Sequence, residues 1–171
     1  MHFPRFVAGP IAAGLLLLAP ATMSAFAQAV PAPATAEDQA YQTAYTAALS
    51  DVSALLAEKV NMDIRLASVD STTDFPALVA DIGALGGRWQ AVTDKLVLLQ
   101  PTGRYTSGHL NSAIATQTFA VSYAALATPI TANDAAGIAA AVGALTSANG
   151  MLLAAGTELS RLRPISVFPI W

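Results

Sequence analysis

Two histidines occur in the chain, His2 and His109, and any acid–base chemistry in the body of the sequence would have to start from the second. An imidazole near the Ser107 hydroxyl has the makings of a general base. Ser107-Gly108-His109, however, matches no nucleophile motif and reads as a helix cap followed by a first-turn residue. Helical zinc or di-iron centres need several His and Glu side chains one turn apart. Beyond Glu37 the chain offers only Glu58 and Glu158. Gly83, Gly86 and Gly87 fit neither a phosphate-binding loop nor a dinucleotide fingerprint, since they fall inside a helical pattern instead of after a strand. With no cysteine there is no covalent haem attachment, no lipoprotein anchor and no disulfide. Haem held by His109 with Met62 or Met151 is an arithmetic remainder, and methionine on a helix is usually core filling. The expectation is no catalytic residue, no metal and no cofactor, hence no enzyme.

The elements that would position these residues are low in charge. Charged residues make up 11% of the 171 residues, against roughly 25% in ordinary soluble domains, while the hydrophobic share is 54%. The formal net charge of -3 gives no electrostatic reason to expect nucleic acid. From Arg104 to Glu158, Asp134 is the one intervening Asp, Glu, Lys or Arg. That stretch reads as two Ala-rich helices joined at Thr128-Pro129-Ile130-Thr131, facing outward with Ser, Thr, Asn, Gln and Gly.

The first residues carry an export pattern. His2 and Arg5 precede an apolar run from Phe6 to Ala19, and Ala25-Phe26-Ala27 forms an A-x-A cleavage site. Pro10, Gly14 and Pro20 interrupt the run, which favours a cleaved signal peptide over residues 1–27 and a periplasmic or secreted location. Cleavage would leave seven basic and eleven acidic residues, a net of -4. Residues 28–34 read as a Pro/Ala linker, and residues 164–171, with Pro164 and Pro169, as an extended apolar tail.

Between linker and tail, residues 35–163 give four helical stripes. Thr35 with Asp38 makes a capping box. Behind it, Tyr41, Tyr45, Ala48, Val52, Leu55, Lys59, Met62, Leu66 and Val69 form one face, with a break placed near Asn61 if anywhere. After the capping cluster Ser71–Asp74, the second stripe is Phe75, Leu78, Ile82, Leu85, Trp89, Val92, Leu96 and Leu99. Gly86-Gly87 weakens that helix by roughly 2 kcal/mol, so either a neighbour approaches closely or the helix bends. The third helix, capped at Thr106 or Ser107, has a main line of Leu110, Ile114, Gln117, Val121 and Ala124 and a second of Phe119, Tyr123 and Leu126. The fourth, capped from Thr131 and continuous through Asn149-Gly150, alternates Ile138, Leu145, Leu152 and Leu159 with Ala141, Ala148, Ala155 and Leu162.

The fold class expected is all-α, an antiparallel up-down-up-down four-helix bundle with an extended tail. Gly143 and Gly150 lie seven residues apart, opposite the fourth seam, where glycine costs about 1 kcal/mol each without return unless something covers them. Together with Leu153 on the same side, and with Arg104, Tyr105 and His109 at one bundle end, they form the expected contact face. The function expected is an exported non-enzymatic bundle acting by protein contact, with itself or a partner. The alternative is a carrier of a small apolar ligand (lipid, pigment or haem) in the bundle interior. Membrane insertion is disfavoured by the many Ser, Thr, Asn and Gln.

Overall fold

The computed structural model describes residues 33–69 and 72–162. Residues 1–32, where a signal peptide and most of a linker are expected, and 163–171, where the tail is expected, lie outside the described residues. What is described is all-helical: α1 Ala36–Ala48, α2 Val52–Ala67, α3 Phe75–Val97, a 3-10 turn at Gly103–Tyr105, α4 Thr106–Ala132 and α5 Ala135–Leu162.

Local chemistry sets most helix ends. Thr35 Oγ1 accepts from the Asp38 amide at 3.1 Å and the Asp38 carboxylate accepts from the Thr35 amide at 2.9 Å, the expected capping box. Asp74 caps α3 by accepting from the Ala77 amide, with Pro76 in the first turn where its missing N–H costs nothing.

Three boundaries differ from the sequence expectation. The first stripe breaks at Leu49–Asp51, not near Asn61, which lies inside α2. There the amides of Leu49, Ser50 and Val52 turn back onto carbonyls of Tyr45, Ala47 and Leu49, so the backbone stays paired while the chain kinks. The α4–α5 turn is not at residues 128–131. α4 runs through Pro129 to Ala132, and Asn133 takes the left-handed conformation (φ 53°). The amides of Asn133 and Asp134 then close onto the carbonyls of Ile130 and Pro129, which satisfies a helix end without glycine. The cap of α5 is therefore Asp134, whose Oδ1 accepts from the Ala136 and Gly137 amides at 3.1 Å each, and not Thr131. Third, α4 begins straight from the 3-10 turn, with no side-chain cap from Thr106 or Ser107.

Packing follows the stripes on α3 and α5. Leu78, Ile82, Leu85, Trp89, Val92 and Leu96 are buried, as are Ala141, Leu145, Ala148 and Leu159, and they join the α1–α2 stripe in one core; Ala155 is also buried. Trp89 stacks on Phe119 with ring centroids 4.2 Å apart, and the Thr93 and Thr116 hydroxyls meet at 2.9 Å. α2 and α3 are tied by Asp51–Lys95, Glu58–Arg88 and Arg65–Asp81, at 3.1, 2.5 and 2.8 Å. These pairs are about half exposed, so each contributes little stability, and their value is in fixing register.

The Gly86-Gly87 pair divides into two roles. A Cβ at Gly86 would stand 3.1 Å from Tyr123 Cβ and 3.3 Å from the Ala120 carbonyl oxygen, whereas one at Gly87 would meet nothing within 4 Å. Close approach of α4 explains the first glycine only.

α4 gives the largest correction. Its main line by sequence, Leu110, Ile114 and Val121, is 54%, 44% and 56% exposed, while the second line of Phe119, Tyr123 and Leu126 is fully buried beside Ser112, Ala115 and Thr116. α5 comes within 8 Å, Cα to Cα, of α4 and the 3-10 turn but of none of the other helices. One side of the hairpin is thus open.

Candidate functional site

The six residues expected to form one contact face fall in two places. Arg104, Tyr105 and His109 gather where the 3-10 turn enters α4, but as interior groups. Tyr105 is 1% exposed and His109 is buried. Arg104 is half-buried, with Nε 3.4 Å from the Asp38 carboxylate. Gly143, Gly150 and Leu153 lie on the outward side of α5. A Cβ at either glycine would have nothing within 4 Å, and Leu153 is 64% exposed.

The interior cluster is built from α1 side chains that the sequence reading treated only as core. Tyr41 and Tyr45, one turn apart, send their hydroxyls to α4: Tyr41 Oη meets His109 Nδ1 at 3.0 Å and Tyr45 Oη meets Ser112 Oγ at 2.5 Å. Ser112 in turn donates to the Gly108 carbonyl at 2.9 Å, so Tyr45 is the donor to Ser112. The Tyr41 ring stacks on Tyr105 at 5.1 Å, and Gln42 Nε2 donates to the Tyr105 hydroxyl. Asp38, the acid of the α1 capping box, also accepts from the Thr102 hydroxyl. That bond holds its carboxyl below the ordinary carboxylate range, helped by the Thr35 amide and the nearby Arg104 guanidinium. Gly108 is needed because a Cβ there would lie 2.6 Å from Leu159 Cγ, where α5 crosses this end.

Chemically this arrangement is a latch. The Tyr45 and Ser112 hydroxyls are committed to one another and to the backbone, and the His109 ring faces Tyr41. Burial pushes the His109 imidazole below its ordinary value and raises the Tyr41 phenol, with Tyr45 and Tyr105 adding to the latter. No group of three or more His, Cys, Asp or Glu side chains able to hold a metal ion occurs among the described residues.

The latch makes stability pH-dependent. A histidine whose folded-state pKa is depressed contributes fully above its unfolded value of about 6.5 and loses that contribution as pH falls below it. Urea denaturation from pH 7.5 to 5 is expected to show stability falling on the acid side, with a slope no steeper than about 1.4 kcal/mol per pH unit for one proton. His109→Gln should flatten that range. The Asp38 contribution runs the same way but is lost only below the ordinary carboxylate range.

Among the described residues, two buried polar atoms have no hydrogen-bond partner, Trp89 Nε1 and Tyr123 Oη. Burial, and secondarily the Asp63 charge, raises the Tyr123 phenol pKa. Two tyrosine-to-phenylalanine changes therefore have opposite expected signs. Tyr41→Phe leaves His109 Nδ1 without its partner and is expected to cost about 1–2 kcal/mol. Tyr123→Phe removes an unsatisfied hydroxyl and is expected to be neutral or to stabilise by about 1 kcal/mol. Denaturation midpoints at unchanged slope check both.

The outward surface of the α4–α5 hairpin is the other candidate. Leu110, Ile114, Val121, Ala125 and Thr128 follow one another along α4, and Ala140, Gly143, Ser147, Gly150 and Ala154 along α5. Between the helices lies an open groove of about 460 Å³ whose walls include Val121, Ala125, Pro129, Gly137, Ala140 and Ala144. α5 is long and apolar enough to cross a membrane by length and composition, and 22% of that segment is buried. It is therefore not the enclosed core helix that such a composition commonly marks. No family model, curated protein or solved structure matches the chain, so a functional reading rests on this surface and the latch alone.

Proposed function

We propose that the chain is an exported, non-enzymatic up-down-up-down helical bundle that acts by protein contact through the outward surface of α4 and α5. The pairings support the arrangement. Residue numbers rise along α2 as they fall along α3 in the three ion pairs, and the same opposition holds for Trp89–Phe119 with Thr93–Thr116 and for Gly108–Leu159 with Gly137–Pro129. Tyr41–His109 and Tyr45–Ser112 rise together, so α1 runs parallel to α4, as alternate helices of an up-down series do. The export pattern of residues 1–27 supports the location.

The observation that carries the reading is the exposed line Leu110, Ile114 and Val121 on a helix whose opposite side is already packed. A photo-crosslinking side chain at Val121, in cells making the chain, is expected to give protein adducts that the same group at Ala47, exposed on α1, does not. Equal or absent adducts at both positions would reject contact through this surface.

The groove of about 460 Å³ favours a second reading, an apolar ligand seated between α4 and α5, because its size falls within the usual ligand range. Its walls are mostly alanine, glycine, proline and threonine, and His109 lies near the far end of α4, so the ligand would be held without a metal bond. Native mass spectrometry would find a retained mass that Ala144→Trp removes.

A further inference from the structure

Resting on the contact reading above, we infer that the outward face of α4 and α5 docks against the same face of a second copy of this chain, with the two α4 helices antiparallel about a two-fold axis between Gln117 and Thr118.

Charge distribution gives the first argument. From residue 106 to 157, His109 and Asp134 are the titratable acid or base side chains apart from Tyr123. His109 is turned inward, and Asp134, capping α5 at the turn, is the one charged side chain on the walls of the groove. The ion pairs among the described residues lie instead on α1, α2, α3 and the 3-10 turn. A charged partner would lose its hydration against this face and gain no counter-charge. Between Asp134 at the turn and Glu158 and Arg161 at the other end of α5, the matching uncharged surface in this protein is the face itself, and a surface that complements itself assembles by two-fold symmetry.

Shape gives the second argument. The large side chains Leu110 and Ile114 stand toward the start of α4, and the groove at Val121, Ala125, Ala140 and Ala144 lies toward its end. An axis between Gln117 and Thr118 sets Leu110 of each copy against Ala125 of the other and Ile114 against Val121. Projecting residues then meet the groove on both sides. A 27-residue helix is about 40 Å long and two adjacent helices are about 20 Å wide, so the face offers about 800 Å² per copy, as much as a standard stable interface uses.

A lipid surface is the less suitable occupant. Interfacial faces carry Trp, Tyr, Lys or Arg at the headgroup level. Between residues 106 and 157 there is no Lys, Arg or Trp, and the aromatics Phe119 and Tyr123 are buried. Of the cations at the ends of the two helices, Arg104 is paired with Asp38, which leaves Arg161 as the one exposed cation at headgroup level among the described residues.

The test uses purified chain alone, which has no native cysteine to interfere. Sedimentation at about 100 µM is expected to give twice the chain mass, and Ile114→Lys with Val121→Lys is expected to weaken association about 100-fold with an unchanged helical spectrum. Leu110→Cys and Ala125→Cys should each stay unlinked alone, since in this pairing a residue at 110 lies about 22 Å from its own copy. Mixed and oxidised, the two variants should form a heterodimer. A monomer at that concentration overturns the inference, as does self-linking of Leu110→Cys, or flotation of the chain with vesicles of neutral or anionic lipid. If the chain is monomeric but the crosslinker at Val121 captures a different protein, contact through this face stands and self-pairing falls.

Discussion

Trp89→Ala is expected to lower the stability of the fold by about 3–5 kcal/mol, more than any other single truncation at the α3–α4 contact. Trp89 is 0% exposed and stacks on Phe119 with an interplanar angle of 21°, so truncation opens a large cavity and removes a ring contact worth about 1 kcal/mol beyond its area. One term opposes the loss: the indole Nε1 has no partner, and deleting it relieves a buried unsatisfied donor. Trp89→Phe separates these effects, because it keeps most of the ring contact and removes the N–H. It is expected to cost less than half as much as the alanine variant. Against a typical total of about 5–15 kcal/mol, the alanine loss should shift a urea midpoint far beyond error. An alanine effect below about 1 kcal/mol would mean that this side chain does not bridge α3 and α4.

The adjacent glycines give the second large effect, with opposite signs at neighbouring positions. Gly86→Leu is expected to destabilise by about 3 kcal/mol, since even its Cβ would press on Tyr123 Cβ and the Ala120 carbonyl and force α3 and α4 apart. Gly87→Ala is expected to stabilise by about 1 kcal/mol, because the added methyl meets nothing and the helix loses a flexible residue. Thermal or urea unfolding of the two variants side by side checks the assignment. If both destabilise, Gly87 has a neighbour that the fold described above lacks. If neither does, the helices are farther apart than the Trp89–Phe119 stack implies.

Parts of the candidate sites were legible in the sequence to different degrees. Tyr41 and Tyr45 were readable as a buried pair one turn apart. That their hydroxyls end on His109 and Ser112 was not, because 68 and 67 residues separate the partners and nothing local relates them. Arg104-Tyr105 looked like a loop dipeptide open to contact. The fold takes both inward, since Tyr105 has Tyr41 to stack on and Gln42 to accept from, while Arg104 has Asp38.

The sequence by itself determined that the described residues are helical, though not the break at Leu49–Asp51 or the place of the α4–α5 turn, and, on α3 and α5, the side that is buried. On α3 the apolar positions form one stripe flanked by Asp81, Arg88, Asp94 and Lys95, so burial of the other sides would strand charges. It also determined the capping of α1 and α3, where donor and acceptor lie within three residues. The tertiary structure alone decided which side of α4 is covered. That helix carries apolar and small neutral residues all round, so turning it either way strands no charge and the 3.6-residue period cannot choose. The choice falls to partners far along the chain: Tyr41 reaching His109, Gly86 admitting Tyr123, and Leu159 filling the space at Gly108. Leu110, Ile114 and Val121 face outward because those three contacts took the other side.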